Sequence, residues 1–280
     1  MTSISLVLGS IVSVQSGAAA ATTLFDQIGP AGAVLLRTLF AAVALVILWR
    51  PTLHGHTRPE LRLVALLGAV LAAMNLSFYA ALDRIPLGLA VTFEFVGPLG
   101  VAIAGSRRGA DLAWAAFAAG GIALISPGIG GSLDALGVGL ALLAGVFWAA
   151  YILLTARVGR AFERGDGLAL AMSFSSLLLL PGGIVSGGGD LFDPSLLGVG
   201  LAVALLSSAI PYSLELEALR RLPENTFGVL MSLEPAVAAL VGLAFLGQAL
   251  SGREVAAIAL VVIASAGALG TARAPAPVEA

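Results

Sequence analysis

Ala81-Leu82-Asp83-Arg84-Ile85-Pro86 and Ala218-Leu219-Arg220-Arg221-Leu222-Pro223 share one pattern, A-L-x-R-[IL]-P. Twelve residues further on, each copy reaches a second proline inside an apolar run, at Gly97-Pro98 and at Glu234-Pro235. Both prolines keep one offset, 137 residues in a chain of 280, so the second half repeats the first. A glutamate lies close to the later proline in each copy, Glu94 and Glu234.

The repeat is built from membrane material. Hydrophobic residues make up 59% of the chain, charged residues 11%, and mean hydropathy is +1.04, whereas a soluble domain carries about 25% charged residues. The net charge of −2 gives no electrostatic case for a nucleic-acid partner. Cysteine is absent and every cationic side chain is arginine, which removes disulfides, thiolate nucleophiles, cysteine metal sites, Schiff-base lysines and the Walker lysine. No apolar run carries histidine, so no set of catalytic partners is in view and neither an enzyme nor a cofactor is expected. His54 and His56 sit near Glu60 in a basic loop, and two ligands on a loop fall short of a metal site.

Crossing a bilayer takes about 20 mainly apolar residues. Ten runs qualify: 4–24, 30–49, 61–82, 86–105, 112–129, 135–156, 168–187, 195–218, 224–248 and 253–271. The first has no basic stretch before it and reads as a span rather than a signal peptide. Turn formers mark the connections, among them Gly29-Pro30, Arg50-Pro51, Arg58-Pro59, Ser126-Pro127-Gly128, Gly187-Gly188-Gly189 and Asp193-Pro194. Residues 272–280, with Pro275 and Pro277, read as a disordered cytoplasmic tail. Arg50, Arg58, Arg62, Arg107, Arg108, Arg157, Arg160, Arg164, Arg220, Arg221 and Arg273 share one side, against Arg84 and Arg253 on the other, which puts both termini in the cytoplasm. Five spans per copy is an odd number, so the copies enter the membrane from opposite sides. The expected fold is an all-α integral membrane protein of ten transmembrane helices, two inverted-topology repeats of five (1–130 and 131–271), with a midplane site open alternately to either face.

An ionisable group at the bilayer centre costs at least about 2.5–3.5 kcal/mol, so buried polar residues carry the functional signal. At about 1.5 Å per residue, Gln15, Arg37, Asn75 and Glu94 come to one level, roughly 10–12 Å from the outer end of their helices. Trp148, Tyr151, Tyr212 and Glu234 come out deeper, roughly 18–25 Å down. With Tyr79, the first four and the first three of the deeper group form the expected substrate-binding set. Arg37 offers a planar fork to a carboxylate, while Glu94 or Glu234 can accept an ammonium or a proton, and such competition suffices for antiport. Glu215 is a further proton-coupling candidate, and Glu217 belongs to an interfacial cluster with Arg220 and Arg221. Structural roles stay open: Arg37 and Glu94 as an ion pair joining helices two and four, Gln15, Asn75 and Tyr212 as interhelical hydrogen bonds, Trp148 and Tyr151 as packing or interface anchors. Pro98, Pro211 and Pro235 interrupt helices four, eight and nine as hinges or kinks, each freeing a carbonyl.

Several segments carry a family likeness: 86–99 (PLGLAVTFEFVGPL), Ser106-Arg107-Arg108, Pro211-Tyr212-Ser213-Leu214-Glu215, 226–236 (TFGVLMSLEPA), Leu36-Arg37 and Met74-Asn75. They resemble the drug/metabolite transporter superfamily with paired EamA domains, and within it the bacterial inner-membrane threonine and homoserine exporters. One departure is Thr22, where the resemblance leads one to expect lysine. The resemblance implies ten helices, cytoplasmic termini and export of small amino acids driven by the proton motive force. The partners are then an amino acid, protons and the lipid bilayer, with oligomeric state open. The same fold could export another small metabolite or an aromatic amino acid, or act as a facilitative channel-like pore.

Overall fold

The computed structural model describes residues 3–52, 55–104, 113–114, 116–118, 120–121, 124, 134–222, 227, 230–231 and 233–270. Among them the chain is helical throughout, with no strand. In order come α1 (Ser3–Thr22), α2 (Phe25–Trp49), α3 (Arg58–Leu82), α4 (Leu87–Glu94), α5 (Val96–Ala104), α6 (Ala135–Ala161) and α7 (Asp166–Gly187). A 3-10 turn (Gly188–Phe192) follows, then α8 (Pro194–Ala204), a π-helical turn (Leu205–Ala209), α9 (Ile210–Arg221), α10 (Glu234–Leu246) and α11 (Gly252–Gly270).

Among the described residues six stretches are long and apolar enough to cross a membrane: α1, α2, α3, α6, Asp166–Phe192 and Pro194–Arg221. Their outer faces leave Ile47 at 68%, Val146 at 65% and Val185 at 86% exposed, surface that belongs in hydrocarbon rather than water. The chain is thus a multi-pass membrane protein. The fifth expected span, 112–129, the 131–134 connection, His54 and the 272–280 tail fall wholly or largely outside the described residues.

Local chemistry sets the helix ends. Thr57 and Glu60 form a reciprocal capping box at the start of α3, with a proline in its first turn. Asp134 caps α6 through the amides of Leu136 and Gly137, and Asp193 caps α8 ahead of Pro194. The second helix begins at Phe25 rather than at 30, because Gly29 (φ 66, ψ 168) kinks the chain and Pro30 restarts the helix within the same rod. Arg58-Pro59, read as a connection, is the first turn of α3.

The fourth expected span is two helices, α4 and α5, meeting at Phe95. Pro98 has no N–H to return to the Glu94 carbonyl, so the ladder fails one turn before the proline rather than at it. α6 crosses at this break, where Gly97 and Gly145 face each other and a Cβ on either would overlap backbone of the other segment. Elsewhere α2 packs on α7 and α8, α3 on α6 and α7, α1 on α9 and α10, and α4 on α6 and α10. The loop bearing Arg164 meets the last turn of α9 at one end, where the Arg220 guanidinium donates to the Arg164 carbonyl. Arg84 pairs with Asp134 at 2.8 Å in a separate loop cluster.

Candidate functional site

Pro211 explains how the site is built. It cannot donate to the Ser207 carbonyl, and the chain around it relaxes into the π turn Leu205–Ala209, in which the Ile210 amide reaches back to Leu205. The orphaned Ser207 carbonyl needs a donor, and Arg37 of α2 supplies it through Nη2. The same guanidinium donates from Nε to Ser208 Oγ at 2.6 Å and from Nη2 to Tyr212 OH at 3.2 Å. Tyr212 OH in turn donates to Asn75 Oδ1 at 3.4 Å, and Asn75 Nδ2 is held by the Leu71 carbonyl at 2.7 Å. A cation 3% exposed is thereby satisfied by main chain and neutral hydroxyls from the other half of the chain.

Arg37 lines a cavity of about 50 Å³, together with Gln15, Asn75, Glu94, Glu215 and Glu234. Trp148, Tyr151 and Tyr212 form its aromatic wall, with Val14, Ala18, Met74 and Phe78 completing it. The two layers expected from counting along straight helices are one: Tyr212 touches both Arg37 and Asn75. Broken and kinked spans do not keep the rise of a straight rod, which is why depths counted by residue exaggerated the separation.

The three carboxylates differ in their surroundings. Glu215 accepts hydrogen bonds from Ser10 at 2.8 Å and Tyr151 at 3.0 Å, tying α9 to α1 and α6. Glu94 and Glu234, 7% and 4% exposed, have no hydrogen bond or ion pair within 4.0 Å among the described residues. The Arg37–Glu94 ion pair is therefore not formed; the guanidinium is occupied by the π turn instead. Gln15 Oε1 likewise has no partner among the described residues. Tyr79 lies outside the cavity wall, with its ring 5.2 Å from the Arg37 guanidinium.

Comparison with known proteins agrees with this architecture. Residues 135–270 match the model of the EamA-like transporter family. The threonine/homoserine exporter RhtA of Salmonella typhimurium is 39% identical over 272 residues, covering 96% of this chain and 91% of its own length. RhtA of Escherichia coli is 38% identical over the same extent. This chain belongs to the EamA-like transporter family. A solved crystal structure 19% identical shares the fold, with a TM-score of 0.68 over 96% of both chains.

Membership places the molecule among transporters and not among enzymes. Among the described residues no group of three or more histidine or acidic side chains is gathered to hold a metal; His56 instead stacks on Phe162 at 4.6 Å and lies 3.9 Å from Glu60. Three site residues escaped sequence reasoning: Ser10, Ser207 and Ser208. The last two carried a legible signal, a pair of hydroxyls three and four residues before a mid-span proline, where the freed carbonyl must find a donor. Pro98 and Pro235 sit one turn or less beyond breaks at Phe95 and Leu233, and Pro211 at the edge of the π turn, so all three prolines border the cavity level.

Proposed function

We propose that this transporter exports small neutral amino acids, of the kind threonine and homoserine represent, across the bacterial inner membrane in exchange for protons. The observation that carries the reading is the pairing inside one cavity of a rigidly held guanidinium with two carboxylates that have no partner among the described residues. A zwitterion needs both. Its carboxylate meets Arg37 at Nη1, the nitrogen not committed to Ser207, Ser208 or Tyr212, and its ammonium replaces a proton on Glu94 or Glu234. Glu215, satisfied by Ser10 and Tyr151, has the weaker claim to that role. Proton and substrate then compete for one site, which is sufficient for antiport.

Alternating access follows from ten spans arranged as two inverted five-helix repeats, 1–130 and 131–271. Supporting it, the main interhelical contacts map onto one another when each span is exchanged for the one five further along. α1 on α9 corresponds to α3 on α6, α2 on α8 to α3 on α7, and α1 on α10 to α4 on α6, while α2 on α7 and α4 on α10 are self-paired. An isologous interface of this kind is what an in-plane two-fold axis produces. The arginines gathered at one end, Arg50, Arg164, Arg220 and Arg221 among them, assign that end and both termini to the cytoplasm.

The test is efflux and counterflow in proteoliposomes with a panel of radiolabelled amino acids at two pH values. Threonine exchange that depends on pH and collapses with an uncoupler is expected, with the pH dependence lost in Glu94→Gln or Glu234→Gln. Efflux indifferent to the uncoupler would make the molecule a pore. Movement of none of the panel would point to another metabolite.

A further inference from the structure

Two arginines, Arg50 at the end of α2 and Arg164 in the loop between α6 and α7, are the only non-glycine residues with positive φ among those described, both at 49°. That conformation is unfavourable for a side chain and ordinary for glycine, and such outliers gather where function holds them. Both line the same groove, shared with Trp49, Thr52, Glu163 and Asp166. Neither guanidinium has a hydrogen-bond or ion-pair partner among the described residues. The Trp49 indole lies on Gly165, so α2 and the α6–α7 loop form one wall. Trp49 Nε1 and Asp166 Oδ1, a donor and an acceptor at that wall, also have no partner among the described residues. Ile47 and Leu48, 68% and 63% exposed, line the groove as well and carry its edge onto the lipid-facing side of α2.

The groove thus has two cations, two carboxylates and an apolar flank at the end of a spanning helix. A purely anionic headgroup would meet Arg50 and Arg164 but be repelled by Glu163 and Asp166. A quaternary ammonium has no N–H to give either carboxylate. We propose that this groove binds a phospholipid whose headgroup carries both a phosphate and a primary ammonium, an ethanolamine phospholipid, with its acyl chains along Ile47 and Leu48. The phosphate sits between Arg50 and Arg164, and the ammonium faces Glu163 and Asp166. Such a lipid joins the first half of the chain to the second at the membrane surface.

The experiment is native mass spectrometry of the full-length protein titrated with ethanolamine, glycerol and choline phospholipids of matched chains. Glycine suits both backbone positions, so Arg50→Gly/Arg164→Gly removes the charges without disturbing the fold, which a melting curve verifies. The ethanolamine lipid is expected to be retained in preference to the other two, and the double variant to bind it about tenfold more weakly. Glu163→Gln is expected to erase the preference for ethanolamine over glycerol. Equal retention of all three lipids, or unchanged retention by the double variant, would overturn the site. Displacement of the lipid by soluble phosphoethanolamine at the same concentration would overturn its assignment to a membrane lipid and leave a soluble phosphomonoester as the ligand.

Discussion

Gly17 of α1 offers a direct way to disturb Arg37 without touching it. A methyl group there would stand 2.7 Å from both Cβ and the backbone nitrogen of Ser207, where ordinary contact begins at 3.4 Å. The obstacle is backbone, so no side chain can swing aside, and the π turn must retreat by about 0.7 Å. That turn supplies the Ser207 carbonyl and the Ser208 hydroxyl, so the guanidinium shifts or gives up those bonds. Overpacking of this kind costs about 1–3 kcal/mol of stability, and a displacement approaching 1 Å at a binding group reduces rate on the order of 100-fold. Gly9→Ala on the same helix is the control, since its methyl would meet only Leu214 Cδ1 at 3.7 Å. Threonine counterflow in proteoliposomes, normalised to folded protein, should therefore fall steeply for Gly17→Ala and hardly at all for Gly9→Ala. A Gly17→Ala carrier running within about twofold of the wild type would refute the link between this close approach and the arginine's position.

Arg37→Lys keeps the charge but cannot reproduce the bonds to Ser207, Ser208 and Tyr212; substrate half-saturation in counterflow should rise about 10- to 100-fold. Tyr151→Phe leaves one oxygen of buried Glu215 without its donor and should lower stability by about 1–3 kcal/mol, read as a shifted melting curve in detergent. At the exposed start of α6, the Arg84 guanidinium and then the Gly137 amide hold the Asp134 carboxyl below its ordinary value of 3.8. A depressed carboxyl stabilises the fold above its unfolded value and loses that contribution as pH falls through the folded one. The melting gap between wild type and Asp134→Ala should thus be open at pH 5 and close as the pH drops below 3.8.

Much of this was legible because hydrocarbon leaves few options. Long apolar rods such as Arg58–Leu82 and Ala135–Ala161 announce themselves, and polar side chains on them have few reasons to be there other than a partner or a cavity. All the residues singled out for binding line one cavity apart from Tyr79. What the residue pattern hid is how donors and acceptors pair off. Arg37 and Glu94 invite an ion pair on charge alone, and only the main-chain consequence of Pro211 shows why the cation goes elsewhere. Similarly, Pro98 marks a break, but its position at Phe95 depends on which carbonyl the ring leaves unbonded and on Gly145 passing beside it.

The anchoring of Arg37 to the π turn bears on leakage. A swing that opens the molecule between α2 and that turn has to surrender three bonds on one guanidinium together. An occupant whose own carboxylate takes over as acceptor lowers that toll, whereas a vacant carrier faces it in full. On the exchange proposed above, idle turnover, which would dissipate the ion gradient for nothing, would be held back by the very group that greets the cargo.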